Sequence, residues 1–157
     1  MRKIKFNEVF LKKLNVNDYS NKYLIWMNDK KVHEFTEQKY IKHSKKDIIN
    51  FLKSKQNSKN EKVYGIFIKN ENKKIHIGNI KLGPMEFIHK HSLISYFIGE
   101  KQFWGKNITT IAIKKILIIA KKEYKLKKIF AGFYSNNAGS EKVLKKNGFK
   151  KEAHFKN

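Results

Sequence analysis

The chain of 157 residues contains no cysteine, one proline and a single arginine, Arg2. Without cysteine there can be no disulfide, no thiolate metal site and no cysteine nucleophile. A long apolar run is missing too. The most apolar stretch, residues 108–120, is broken by Lys114 and Lys115, and the N-terminal MRKIKFNEVFLKKL is basic without an apolar h-region. A soluble, cytoplasmic protein without membrane association is therefore expected. Acidic residues are scarce, 13 Asp and Glu against 36 Lys and Arg, for a formal charge of +23. That balance invites a nucleic-acid reading. Two observations weaken it. Arginine, whose planar fork grips phosphates and base edges bidentately, is nearly absent. The lysines are also scattered from end to end among many Asn and Ile, as a general compositional bias would leave them, rather than gathered into a patch. No nucleic-acid partner is expected.

What is present has the length of one domain, residues 1–157, enough to bury a single core. Residues 9–14 (VFLKKL) read as a first strand. Asn17-Asp18 then offers an N-cap for a helix with Tyr19, Tyr23, Trp26 and Met27 on its apolar face, ended by Asn28-Asp29. Ser44-Lys-Lys-Asp47 is a capping-box pattern ahead of Ile48, Ile49, Phe51 and Leu52, and starts a second helix; the polar run 53–62 reads as a loop. Residues 63–69 and 76–83 form a hairpin turned by Asn70 to Lys73, its second strand closed by Pro84, which lacks a ladder donor. A third strand, 92–99, leads through Gln102 to Asn107 (QFWGKN) into a helix. There Lys114, Lys115, Lys121 and Lys122 mark one polar face, with Ala112, Ile113, Ile116, Leu117, Ala120 and Tyr124 opposite. Residues 127–134 form another strand and 140–146 a short helix C-capped by Asn147-Gly148; 149–155 is a weak final strand. This order predicts an α/β (α+β layered) fold: a mixed, mostly antiparallel central sheet flanked by helices, with one crossover helix between parallel strands.

A glycine-bearing turn between a strand and a helix start has chemistry of its own. First-turn N–H groups lack intrahelical partners, and with the helix dipole behind them they form an anion site. Gly105 lets the backbone approach such an anion closely, and Thr109 and Thr110 add hydroxyl donors. On these residues alone the segment is equally an ordinary strand-to-helix turn. Four segments in order, WMNDKKV (Trp26 to Val32), IGNIKLGP (Ile77 to Pro84), YFIGEKQFWGKN (Tyr96 to Asn107) and NNAGSEKVLKKNGFKKE (Asn136 to Glu152), resemble the acyl-CoA N-acetyltransferases of the GNAT superfamily. The likeness is to the ribosomal-protein acetyltransferase-like (RimJ/RimL-type) branch in particular, and spans residues 9–155.

The resemblance implies acetyl-CoA as co-substrate and no metal. It puts the strand backbone at Phe97 and Ile98 against the pantetheine arm. It wraps the pyrophosphate in Gln102, Trp104, Gly105, Lys106, Asn107, Ile108, Thr109 and Thr110. It also sets Asn137 on the pantetheine amides, with Ser140 capping the next helix near the cofactor; Ser140 is equally a plain N-cap. Relatives usually carry glycine where this chain has Asn107 and Thr109. Asn tolerates left-handed backbone angles, whereas a Thr there narrows the cradle.

Acetyl transfer to an amine needs a neutral nitrogen placed against the thioester, donors for the oxyanion and a proton for the thiolate. Where relatives place a glutamate and a tyrosine, this chain has Leu93 and Leu144. The remaining candidates are His89 as base, with His91 and Glu86 beside it, and Tyr134 as acid. His89 is equally an exposed loop histidine and Tyr134 equally a packing residue. His89-x-His91 has no third ligand at metal-site spacing. Trp26, Asn28, Asp29 and Phe35 lie in the region that forms the acceptor wall in relatives. The two rings either stack on a substrate or belong to the core, and Asp29 either pairs with a cationic acceptor or only ends its helix.

The resemblance also calls for a further C-terminal strand that this sequence lacks. Residues 149–155 would then be an unpaired edge that a partner subunit can complete, which leaves a homodimer open. The expected function is acetyl-CoA-dependent transfer to a primary amine of a small molecule by direct attack. The first-ranked acceptor is a nucleotide-linked amino sugar of a surface-polysaccharide pathway, from the likeness of HIGNIKLGP and the IHKH that follows. A protein N-terminus comes second. A non-catalytic basic nucleic-acid-binding module is the alternative from another class.

Overall fold

A computed structural model describes residues 2–156. Five strands, β1 (Val9–Lys13), β2 (Lys62–Asn70), β3 (Lys73–Glu86), β4 (His91–Ile98) and β5 (Lys128–Phe130), lie side by side in chain order. The first three junctions are antiparallel and β4 pairs with β5 in parallel, so the connection through α3 (Ile108–Lys122) is the expected crossover. Helices α1 (Asn21–Asn28) and α2 (Lys45–Asn57) cover one face, α3 and α4 (Ala138–Lys146) the other. Among the described residues no helix is long and apolar enough to cross a membrane.

Local chemistry accounts for most element ends. At α2 the capping box forms: Ser44 Oγ accepts from the Asp47 N–H (3.2 Å) while Asp47 Oδ2 accepts from the Ser44 N–H (2.7 Å). The helix then runs to Asn57, through half of the polar run read as a loop. Ile48 and Leu52 anchor it, and Lys55 reaches forward to pair with Glu61. Helix α1 begins at Ser20, whose Oγ accepts from the Tyr23 N–H (3.1 Å), rather than at Asn17-Asp18, which lie in a single 3-10 turn capped by Asn15. Pro84 does not close its strand: β3 continues to Glu86 across a ladder irregularity between Leu82 and Met85, where the Met85 N–H turns to the Asn60 carbonyl (2.7 Å). The missing donor of Pro84 falls in that irregularity and costs the ladder nothing.

Two further expectations are corrected. Strand β5 is three residues long instead of eight, and residues 149–156 form no strand. Gly148, at φ 82°, ends α4, with the Phe149 N–H returning to the Leu144 carbonyl (3.1 Å). Beyond it, Glu152 reaches Lys128 of β5 through side chains alone (2.9 Å), and Phe155 is 91 % exposed. With charges interleaved and no partner ladder, nothing holds this segment extended against the sheet.

The core lies on the α3 side, where Val9, Ile66, Ile80 and Leu82 of the sheet meet Ile108, Ile113 and Ile116 of α3 and Leu144 of α4. Each buried aliphatic side chain contributes about 1.5–3 kcal/mol relative to exposure. Leu14, Tyr23, Trp26, Ile48, Leu52 and Val63 form a smaller core on the α1/α2 face.

Candidate active site

The parallel pair β4–β5 is joined only at His91–Lys128, Ser92–Ile129 and Leu93–Phe130. Past that point the strands part. Residues 94–98 of β4, a length of about 16 Å at ~3.3 Å per residue, have no β5 partner, so their main-chain edge faces an open cleft.

At the open end of this cleft the chain turns into α3. Gly105 (φ 73°) and Asn107 (φ 69°) both adopt the left-handed conformation, the second without a glycine's freedom and with asparagine's tolerance. Asn107 is the N-cap residue of α3, yet its side chain caps nothing. This sets α3 apart from α1, α2 and α4, where Ser20, Ser44 and Asn137 each accept a first-turn N–H. From Gly105 to Thr110 no main-chain N–H meets an acceptor among the described residues, and the first bond of the helix is Ile111 N–H to the Asn107 carbonyl (3.2 Å). The turn is held from both sides. Trp104 Nε1–H donates to the Ile98 carbonyl (2.9 Å), and the Ile4 N–H to the Lys106 carbonyl (3.0 Å). A rigid run of unused donors at the positive end of a fifteen-residue helix fits a diphosphate. Thr109 and Thr110 are half-buried beside it and Gln102 is exposed. Trp104 takes up one of the two lone pairs of the Ile98 carbonyl.

Across the cleft, the cap of α4 falls on Asn137 and not on Ser140. Asn137 is the N-cap of α4: its Oδ1 accepts from the Ser140 N–H and its Nδ2–H donates to Ser140 Oγ, both at 3.0 Å. Its amide is thus engaged in the helix start, and Ser140 sits within the first turn. Burial raises the pKa of the Tyr96 phenol on β4, with the nearby Ser140 side chain opposing, so it remains protonated. Leu144 is 3 % exposed and points into the core, so at this position α4 presents no polar group. Tyr96 escaped notice in the sequence because its alternation with Ile94 and Ile98 reads as core.

The acceptor-side candidates are placed as follows. His89 is exposed in the turn between β3 and β4, stacked near-parallel with His91 at 6.4 Å, beyond the closed end of the cleft. The structure does not bring it to the open strand edge. Tyr134 is half-buried after β5, with Lys39 Nζ 5.3 Å from its ring centre, and so borders the space beneath the α1–α2 connection. Trp26 is a core residue, 3 % exposed, donating Nε1–H to Glu100 (3.0 Å) and lying edge-on to His76 (5.1 Å) and Phe97 (6.4 Å). It fits there because Gly99 has no side chain; a Cβ would stand 2.2 Å from the indole. Asn28 spends its amide on the backbone, donating to the Leu24 and His43 carbonyls (3.1 and 2.9 Å) and accepting from the His43 N–H (2.9 Å). Asp29 accepts from the Lys31 and Val32 N–H groups and pairs with Lys101, whose hydrogen bond holds the carboxyl below its ordinary range. Of the four expected acceptor contacts only Phe35, half-buried, keeps an unassigned side chain.

The same face holds residues the sequence did not single out. His33 and Asn79 are 2 % and 4 % exposed, and His33 Nε2, His43 Nε2 and Asn79 Nδ2 are buried without partners among the described residues. Burial, aided by the nearby His43 ring and opposed by Asp29 and the Trp26 carbonyl, pushes His33 down to about 4. No spacing announces such a residue. Among the described residues no group of three or more His, Asp or Glu could hold a metal ion.

Known proteins share this fold. The family model described as an acetyltransferase (GNAT) domain matches residues 8–150. No curated protein matches the chain. Among solved structures, spermidine N-acetyltransferase from Vibrio cholerae, in complex with CoA and spermine, is 17 % identical; the match covers 94 % of this chain and 84 % of that one, with a TM-score of 0.82. The ribosomal L7/L12 α-N-protein acetyltransferase RimL, in complex with coenzyme A, is 17 % identical over 93 % of this chain and 82 % of its own, with a TM-score of 0.80. The microcin C7 self-immunity acetyltransferase MccE, in complex with acetyl-CoA and AMP, is 20 % identical over 94 % and 82 %, with a TM-score of 0.76. At these identities the likeness is one of fold.

Proposed function

The chain belongs to the GNAT acetyltransferase family, and from that premise we propose that it transfers acetyl from acetyl-CoA to the primary amine of a nucleotide-linked amino sugar by direct attack. One observation carries the cofactor part: alone among the four α-helices, α3 starts without a side-chain cap, leaving the N–H groups from Gly105 to Thr110 for a diphosphate. When bound, acetyl-CoA supplies an acetyl group already activated as a thioester. The chain's own residues do the rest. The unpaired edge of β4 between Ile94 and Phe97 would hold the pantetheine arm by main-chain hydrogen bonds. Tyr96 keeps a proton on its phenol beside Ser140, where a hydroxyl is needed to quench developing negative charge.

The acceptor is argued from charge. The two carboxylates beside the Trp26–Phe97 contact, Asp29 and Glu100, are matched by Lys101 and Lys22 (3.2 Å for the second pair). A polyamine finds little uncompensated negative charge there, whereas an anionic acceptor gains from a chain of formal charge +23. A protein N-terminus is the second reading. An α-amino group, with a pKa near ~7.7, reaches its neutral form with little help, which suits a cleft with no carboxylate on β4 at Leu93. The test is an acetylation assay read by mass spectrometry, with acetyl-CoA and UDP-glucosamine, spermidine or a peptide with a free N-terminus. Preference for the nucleotide sugar supports the proposal. Preference for the peptide selects the second reading, and preference for spermidine overturns both.

A further inference from the structure

The imidazole of His33 sits where the mechanism lacks a base. It follows α1 in a pinned turn, the His33 N–H donating to the Asp29 carbonyl (3.2 Å) and the Thr36 N–H to the His33 carbonyl (3.0 Å). Its ring is 2 % exposed, with Nδ1 3.1 Å from Thr36 Oγ1 and its centre 4.9 Å from that of Phe97 on β4. The protons available decide the tautomer. The Thr36 hydroxyl donates to the His33 carbonyl (3.4 Å), and its oxygen also accepts from the Gln38 N–H (3.3 Å). With the hydroxyl so placed its oxygen offers Nδ1 a lone pair, the arrangement that puts the ring proton on Nδ1 and leaves Nε2 bare. Nε2 makes no hydrogen bond among the described residues, and the Trp26 carbonyl close to the ring favours its protonated form. A buried polar atom in that state is costly unless a ligand or water supplies the missing partner. Asn79, paired across the ladder with Phe97, has its Nδ2 unpartnered as well. What separates His33 from the cleft is the ring of Phe97, half-buried, on a strand face where Ser95 and Leu93 are exposed.

We propose that His33 is the proton acceptor of the acyl-acceptor pocket: with the Phe97 ring turned aside, Nε2 takes a hydrogen bond from the acceptor's amino group and receives its proton as the nitrogen is acylated. This rests on the acetyl-transfer reading above. The C–N bond forms as the thioester C–S bond breaks with its electron pair on sulfur; one N–H bond of the amine breaks and leaves its pair on nitrogen, one Nε2–H bond forms, and the imidazolium gives its proton to water while the departing thiolate takes one up. An imidazole cannot strip a free ammonium efficiently. The nitrogen's acidity rises, however, as it gains positive charge on acylation, and that is when a hydrogen-bonded base is effective. The surrounding charges suit the role. His43 from the α1–α2 connection disfavours the imidazolium, Asp29 at the end of α1 favours it but is shared with Lys101 from beyond β4, and His76 on β3 is itself shifted towards neutrality by burial. His33 therefore stays uncharged across the neutral range, with a lone pair less basic than that of a free imidazole.

Two measurements test the assignment. Long-range 15N–1H correlation spectra of the histidine-labelled protein are expected to show His33 with its proton on Nδ1 and a bare Nε2, unchanged from pH 8 to pH 5. An Nε2-protonated ring, or titration near neutrality, overturns the proposal without touching the acetyltransferase reading. In the acetylation assay, His33→Ala is expected to lower kcat about 100-fold or more with KM nearly unchanged, the usual scale for a lost general base. Added imidazole should restore part of the rate, while His33→Gln, which keeps a similar shape without a basic nitrogen, stays slow. Wild-type kcat in both folded variants overturns the proposal. If no amine turns over although coenzyme A binds, the acetyl-transfer reading fails and the tautomer measurement alone decides the state of His33.

Discussion

The two faces of the sheet are built to different rules. Towards α3 and α4 the buried side chains are almost all aliphatic, and the phenol of Tyr64 meets that of Tyr124 at 3.3 Å. Towards α1 and α2 the rings of Tyr23, Trp26, His33, Phe67, His76 and Phe97 crowd together, and the three unpartnered buried polar atoms lie on this side. Burial pushes Tyr23 up to about 12, so this phenol too stays neutral. A face with its buried side-chain polar atoms satisfied carries the fold, and opens only at the main chain where α3 begins. A face with donors and acceptors left open is stable only because the first face offsets its cost, and what it gains is somewhere for a polar ligand to bind.

This contrast can be broken experimentally. Ile116 is 0 % exposed, and Ile116→Ala is expected to cost about 2–5 kcal/mol in urea unfolding, with coenzyme A affinity of the folded protein preserved. A loss of affinity without a loss of stability would show that Ile116 serves the diphosphate site at the start of α3 and not the core. The next effect is in pH. Burial holds the folded pKa of His33 at about 4, below the ~6.5 of an unfolded histidine. Between those values the unfolded chain binds more protons, so the contribution of His33 to stability is full above the upper value and declines as pH falls towards the lower. Urea midpoints at pH 7 and pH 4.5 should differ more in the wild type than in His33→Gln; His76, shifted the same way, leaves a residual slope in both. Gly99→Ala, which drives a methyl into the Trp26 ring, is expected to cost about 1–3 kcal/mol by overpacking, read as a lower melting temperature. The smallest effects compare helix starts. Ser44→Ala should cost about 1 kcal/mol, whereas Asn107→Gly should change stability by at most a few tenths of a kcal/mol, because Asn107 caps nothing and its left-handed angle suits glycine.

How far the sequence carried these conclusions depends on the range of the interactions. The Ser44–Asp47 box, the lysine spacing of α3 and Gly148 after α4 are short-range signals, and each sits where its pattern indicates. The left-handed Asn107 was legible for the same reason. Pro84 was misread because the Asn60 carbonyl, distant in sequence, receives the Met85 N–H and lets the strand continue. The helix start at Asn137 was misplaced because Asn and Ser both cap, and only the backbone decides which does. His33 was invisible because burial beneath Phe97, and not any neighbour in sequence, gives it its chemistry.

The empty donors at the start of α3 are tested directly by a thermal shift series. Coenzyme A and 3′-dephospho-coenzyme A both carry the diphosphate, and each should raise the melting temperature, by an amount equivalent to about 2.7 kcal/mol at a hundredfold excess over Kd. Pantetheine, which has the arm without the phosphates, should raise it little. Equal shifts with all three, or no shift with any, would show that the turn from Gly105 to Thr110 holds no diphosphate.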